Sequence, residues 1–238
     1  AYEIVSRDWS SDVCSSDPRA CTYCAVAHGK PATLDIDEPR RVGEAVEKMG
    51  LKYAVITSVD RDDLADCGAG IYAETIRDIK RRLPDCRVEV LIPDFKGEES
   101  SLRTVLDARP DVLNHNTETV PRLYRQVRLG ARYERSLDML AYVKERNSAI
   151  PTKSGLMLGL GETMEEVHQV MRDLRKSKVD ILTLGQYLRP TLKHLPVIRH
   201  VTPDEFADLK RYGYELGFGH VESGPLVRSS YHAADAVK

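Results

Sequence analysis

The sequence predicts an α/β fold of parallel strands and covering helices, a partial or full barrel. Three observations predict it. From Arg19 onward, apolar runs rich in β-formers alternate with amphipathic runs of helical period. The spacing of these units, about 25 to 40 residues, suits right-handed strand–helix–strand crossovers. The unusual polar residues fall directly after the apolar runs, where such folds carry their sites.

Residues 1–17 hold no sustained period and repeat Ser-Ser-Asp at 10–12 and 15–17. They resemble a translated sequencing adapter. Residues 1–18 are therefore expected to be a non-native or disordered leader, and residues 19–238 the barrel, with one further strand expected ahead of Cys21. A helix over 39–49 places Val42, Ala45, Val46 and Met49 on one face. A strand over 53–58 follows, ending at Ser58 and Asp60, then a helix over 71–82. The strand at 87–92 leads to Pro93 and Asp94, and the helix at 101–108 to a strand at 112–115 with Asn116 behind it. A helix over 136–145, a strand over 152–158 and a Gly159-Leu160-Gly161 turn come next. The last elements are a helix at 164–176, a strand at 181–188 containing Gln186, a helix at 203–214 and a short strand at 219–222. Thr202-Pro203-Asp204-Glu205 is a helix start: a cap, then proline in the first turn, then acids at the positive end. No linker divides the chain.

Composition narrows the function. Thirty-five basic against 37 acidic residues leave a net charge of −2, so no basic excess points to nucleic acid or an anionic membrane. No apolar run approaches the roughly 18 residues of a membrane span. Ala1–Val5 lacks the pattern of a secretory signal, and a cytoplasmic location is expected. Five cysteines, two of them in one C-x-x-C, read as metal or redox chemistry and not as a disulfide framework. Taken alone, Cys21-Thr22-Tyr23-Cys24 fits one metal ion, two irons of a cluster, or a redox pair. Cys67 and Cys86 are isolated and are expected to pack.

The wider context is more specific. C-T-Y-C-A-V-A-H-G-K-P at 21–31 resembles the cluster loop of lipoyl synthases, a radical S-adenosylmethionine (SAM) family. The resemblance continues through I-T-S-V-D-R-D-D-L at 56–64, V-L-I-P-D-F at 90–95 and N-H-N-T-E-T-V at 114–120. It extends through K-S-G-L-M-L-G-L-G-E at 153–162, Q-Y-L-R-P-T at 186–191, H-L-P-V at 194–197 and G-P-L-V-R-S-S-Y-H-A at 224–233.

This resemblance implies a partial parallel (β/α)6 TIM-type barrel of the radical SAM type. It implies sulfur insertion at C6 and C8 of a protein-bound octanoyl group. The implied partners are an octanoylated lipoyl carrier domain or glycine cleavage H protein, and a reductant such as flavodoxin or ferredoxin. The implied cofactors are SAM, a [4Fe-4S] radical SAM cluster and an auxiliary [4Fe-4S] cluster. Cys21 and Cys24 match the second and third cysteines of C-x-x-x-C-x-x-C; Asp17 stands at the first, and a carboxylate is a poorer ligand for cluster iron than a thiolate. Cys14 lies three residues too early. Ser230, or else its neighbour Ser229, matches the serine ligand of the auxiliary cluster, whose cysteine motif would precede this chain. Tyr23 matches an aromatic expected near adenine. Ser58, Asp60, Asn116, Glu118, Lys153, Gln186 and Leu188 are the candidate SAM contacts, with Arg132 beside Lys153 at the carboxylate. The expectation is thus an N-terminally truncated lipoyl synthase, inactive as written. A biotin synthase-like sulfur inserter and a non-enzymatic barrel with a thiolate zinc site are the alternatives.

Overall fold

The structure, a computed structural model, describes residues 2–5, 19, 21–26, 29 and 33–237, with backbone alone at 2–5 and 237. The chain divides into two compact units, Ala1–Arg19 with Val26–Asn114, and Ala20–Ala25 with His115–Lys238. No change in composition marks this boundary, because it falls directly after a strand.

In the first unit four strands run parallel in sequence order: β1 (Tyr2–Val5), β2 (Tyr53–Thr57), β3 (Arg87–Leu91) and β4 (Val112–Asn114). β1 lies within the stretch assigned to a leader, and Tyr2↔Ala54 to Val5↔Thr57 is its register with β2. Those four residues pair with β2, whose ladder hydrogen bonds take up the backbone groups on that edge. Val55, Val88 and Val90 are fully buried, as expected of parallel strands covered on both faces. Helices α1 (Glu38–Lys48), α2 (Ala69–Arg82) and α3 (Glu99–Asp107) connect them, α2 packing against both neighbours. The helix bounds differ from expectation by one or two residues, the usual uncertainty of frayed ends. Glu89 is a carboxylate buried in this unit, 1% exposed, accepting from Tyr53 Oη at 2.7 Å and Asn114 Nδ2 at 3.1 Å.

In the second unit β5 (Thr152–Leu158), β6 (Ile181–Gln186) and β7 (His220–Gly224) are parallel, with Gly155 opposite Thr183 and Leu184 opposite Ser223. Its helices are the short α4 (Tyr124–Val127), which periodicity does not reveal, α5 (Tyr133–Arg146), α6 (Met164–Lys176) and α7 (Pro203–Glu215). Val167, Val170, Met171 and Leu174 form the buried stripe of α6. The expected helix start at Thr202 is a complete capping box: its hydroxyl accepts from Glu205 N at 3.3 Å, and Glu205 Oε2 accepts from Thr202 N at 2.8 Å. Thr202→Ala is expected to cost about 1 kcal/mol, read from the urea midpoint at constant slope. Among the described residues no helix is long and apolar enough to cross a membrane.

Candidate functional site

The second unit gathers most of the sequence candidates. Cys21–Cys24 is a tight turn closed by Cys24 N to Cys21 O at 3.1 Å. Thr22 is held from two directions. Its N and Oγ1 donate to Val127 O (3.2 Å) and Gln126 O (2.7 Å) at the end of α4, and its carbonyl accepts from Leu195 N at 3.3 Å. Cys21 is buried and Cys24 half-buried. Among the described residues no third His, Cys, Asp or Glu joins them in a metal-binding group. Asp17, Cys14 and the rest of the expected leader beyond β1 lie outside the described residues.

Beside the turn is a cavity of about 220 Å³, lined by Tyr23, Asn116, Glu118, Thr183, Leu188 and Ser229 among others. Its floor needs small residues. A Cβ on Gly155 would stand 2.5 Å from Thr183 Oγ1 and 2.9 Å from Asn116 Oδ1, and one on Gly185 would collide with the Val227 carbonyl. A glycine inside a strand run is the sequence signal for such a close approach, and it marks both positions.

Glu118 is the unusual residue of the wall. Its φ is +65°, a left-handed conformation that costs energy for a side-chain-bearing residue. The strand β5 imposes it: Glu118 N donates to Gly155 O (2.9 Å) and Met157 N donates to Glu118 O (2.8 Å). The carboxylate accepts from Asn116 Nδ2 at 3.1 Å and from the Tyr23 hydroxyl. Burial pushes its pKa up, opposed by the Arg128 charge and by these donors. Burial and the Glu118 charge likewise raise the Tyr23 hydroxyl.

Arg128, which the sequence did not flag, is buried behind this wall. Its guanidinium meets Ser136 Oγ (3.1 Å), His115 Nε2 (3.2 Å) and Tyr124 Oη (3.3 Å). His115 is thus a satisfied polar residue.

Two candidates have structural tasks. Lys153 does not line the cavity; it is 1% exposed on β5, and its Nζ donates to the Ser229 carbonyl at 2.5 Å. Gln186 lines the cavity, but its amide holds the following loop, donating to Arg199 O (3.2 Å) and accepting from Val201 N (2.9 Å). Of the two C-terminal serines, Ser229 Oγ accepts from Asn116 Nδ2 at 2.9 Å, while Ser230 accepts at its carbonyl from Ala233 N at 3.3 Å. The amides of the Gly159-Leu160-Gly161 turn are taken up by Glu162, at 2.5 Å from Gly159 N and 2.9 Å from Leu160 N.

Ser58 and Asp60 belong to the first unit. Ser58 bonds to Tyr72 Oη at 3.1 Å, and Asp60 lies 3.7 Å from the Arg19 guanidinium. Cys67 and Cys86 are 3% exposed, and burial raises both thiols, the ordinary state of packed cysteines.

The residues fit the cofactors that the sequence implies. Two thiols on one turn offer the soft donors that cluster iron takes. Asn116 Oδ1 is buried without a hydrogen-bond partner, and with the Glu118 carboxylate it presents acceptors to a ligand carrying hydroxyl or ammonium donors, as SAM does.

A sequence profile of the Radical SAM superfamily matches residues 11–174. The chain is 61% identical over 215 residues to the lipoyl synthase of Rubrobacter xylanophilus, covering 90% of this chain and 67% of that protein. Identity is 60% to the lipoyl synthase of Koribacter versatilis (90% and 71% covered) and 56% to that of Shouchella clausii (95% and 72%). Among solved structures, HydG, a maturase of the [FeFe]-hydrogenase, matches with a TM-score of 0.69 at 16% identity over 99% of this chain and 53% of its own. Methylornithine synthase matches at 0.64 and 13% over 91% and 71%. Such identities speak for the fold, which is the radical SAM α/β fold expected from the sequence.

Proposed function

Since the chain belongs to the lipoyl synthase family of the radical SAM superfamily, we infer that its reaction is sulfur insertion at C6 and C8 of a protein-bound octanoyl group, and that with Asp17 at the first cysteine position it is inactive as written. The observation that carries this reading is the identity of 56–61% to lipoyl synthases over nine-tenths of the chain.

An unactivated C–H bond offers no acidic proton, so side-chain acids and bases cannot open it. A [4Fe-4S] cluster and SAM, when bound, supply the one-electron chemistry that does. The chain's own residues position and shield. Cys21 and Cys24 hold iron. Asn116 and Glu118 accept from the polar donors of SAM, and Tyr23 fixes the Glu118 carboxylate. Leu188 supplies apolar wall, which keeps water from a reactive centre. Lys153 holds the segment that carries Ser230, the residue we assign to an auxiliary [4Fe-4S] cluster; the bond between Ser229 and Asn116 supports choosing Ser230. The carrier is an octanoylated lipoyl domain or glycine cleavage H protein, and the electron comes from a flavodoxin or ferredoxin. A cytoplasmic setting accords with that demand for low-potential electrons.

Anaerobic reconstitution with iron and sulfide tests the reading. A brown cluster, and SAM cleavage to 5′-deoxyadenosine without sulfur insertion once cysteine replaces Asp17, are expected; tight colourless zinc binding with no iron retained would sink it.

Glu118→Gln separates binding from stability. Removing the negative charge is expected to weaken SAM binding about 10- to 100-fold by calorimetry. Because burial, the dominant cause, disfavours the charged carboxylate, the same change is expected to raise the melting temperature at pH 7. The sign follows from linkage. A carboxylate whose folded pKa is raised binds more protons folded than unfolded, so its contribution to stability falls as pH rises above the ordinary carboxylate range. The advantage of the glutamine should therefore shrink as pH falls through the ordinary carboxylate range and vanish below it, where the parent is protonated in both states.

A further inference from the structure

The loop after β6, residues 187–201, contains no helix or strand, yet it is tied down along its length. Tyr187 Oη donates to Leu195 O (3.0 Å), Arg189 Nε to His194 O (2.9 Å), and Ile198 N to Gly159 O (2.8 Å). Two of its residues reach the cysteine turn. Leu195 N bonds to Thr22 O, a backbone contact that any residue could make. His194 Nε2 lies 2.9 Å from the Cys24 carbonyl, and there the hold depends on one side chain.

The hydrogen-bond inventory sets the ring's state. A carbonyl only accepts, so Nε2 carries the proton. Nδ1 lies 2.9 Å from Thr191 Oγ1, and that oxygen already accepts from Lys193 N at 3.2 Å. The Thr191 hydroxyl proton is free to be directed at Nδ1, and that bond favours the tautomer that serves Cys24.

We propose that His194 is a positioning residue for the cysteine turn, with Thr191 setting its tautomer, so that the two thiols are arranged before any metal arrives. The assignment of iron as the metal rests on the function inferred above; the clamp itself does not. Holding a turn closed lowers the population of open states from which a metal escapes or a thiol is attacked.

The test is residue-resolved alkylation of the full metal-free chain by iodoacetamide, with Cys67 and Cys86 as internal references. His194→Ala is expected to speed Cys24 alkylation about tenfold, the order expected for one lost hydrogen bond to a locally opening turn. His194→Gln, whose amide also donates at the ε position, should stay within about twofold of the parent, and Thr191→Val should fall between at about threefold. An unchanged Cys24 rate in His194→Ala, or a glutamine variant that behaves like alanine, overturns the proposal. Should His194→Ala also expose Cys67 and Cys86, Thr191→Val decides, and an unchanged Cys24 rate there overturns it. In an Asp17→Cys background, iron loss to a chelator after anaerobic reconstitution should follow the same order of variants. Alkylation in the expected order with zinc retained in place of iron would leave the clamp standing and refute the inferred function.

Discussion

Replacing Asp17 with cysteine is expected to raise reductive SAM cleavage by at least about 100-fold, some 2.7 kcal/mol in the barrier. Cys21 and Cys24 match two positions of the family's three-cysteine motif, and residue 17 is the third, four residues ahead of Cys21. A carboxylate is a hard oxygen donor, and cluster iron takes thiolate far better. A cluster held by two thiolates loses iron, and the one-electron chemistry goes with it. The measurement is 5′-deoxyadenosine formed per chain under dithionite, after anaerobic reconstitution. Asp17→Ala should stay at the parent level, which separates the gain of a thiolate from the loss of a carboxylate. Asp17→Cys combined with Cys21→Ser should also stay flat. A parent chain that already matches its Asp17→Cys variant would show that residue 17 is not the missing ligand.

The second large effect is on stability. Arg19→Ala is expected to destabilise the chain by about 3–5 kcal/mol, the range for leaving buried charges uncompensated. Arg19 is 7% exposed and faces three carboxylates: Asp62 at 2.7 and 2.9 Å, Asp94 at 2.7 Å and Asp60 at 3.7 Å. Asp94 is 1% exposed, so water cannot replace the guanidinium there. Asp60 and Asp62 follow β2 and Asp94 follows β3, so one side chain neutralises the ends of two strands. Lysine cannot form the bidentate pair with Asp62 and should recover only part of the loss. Urea denaturation measures the effect, and a loss under about 1 kcal/mol would mean that the three acids are satisfied without Arg19.

Arg19 also shows where reading the sequence reached its limit. Asp60 stood out as polar after a strand and was a reasonable candidate for a ligand, but its cation lies 41 residues earlier in the chain. Lys153 and Gln186 show the same limit. Each is a polar residue in a β-rich run, a pattern that marks a buried polar group without naming its partner. The partners are the Ser229 carbonyl for one and the 199–201 backbone for the other. Glu118 could be picked out by its family motif but not by its conformation, because the left-handed turn is imposed by backbone bonds to Gly155 and Met157. Arg128 left no signal, since a single arginine in a loop reads as surface until its burial is known.

Local structure was more legible. The bounds of β5 and α6 agree with their expected ranges to the residue, and the capping box at Thr202 was visible as Thr-Pro-Asp-Glu. Side-chain period, proline placement and caps act within one or two turns, so neighbours in sequence suffice to read them. Tyr2–Val5 is the instructive exception: four residues carry too short a period to declare a strand, and only pairing with β2 makes them one.

By itself the sequence determined the alternation of strands and helices, the cysteine turn, the family and hence the reaction, because each is written in contiguous residues. Tertiary structure alone decided which polar side chains face the cavity beside Tyr23 and which are buttresses. A polar group's role depends on the partner that satisfies it when water is removed, and here those partners lie tens of residues away along the chain.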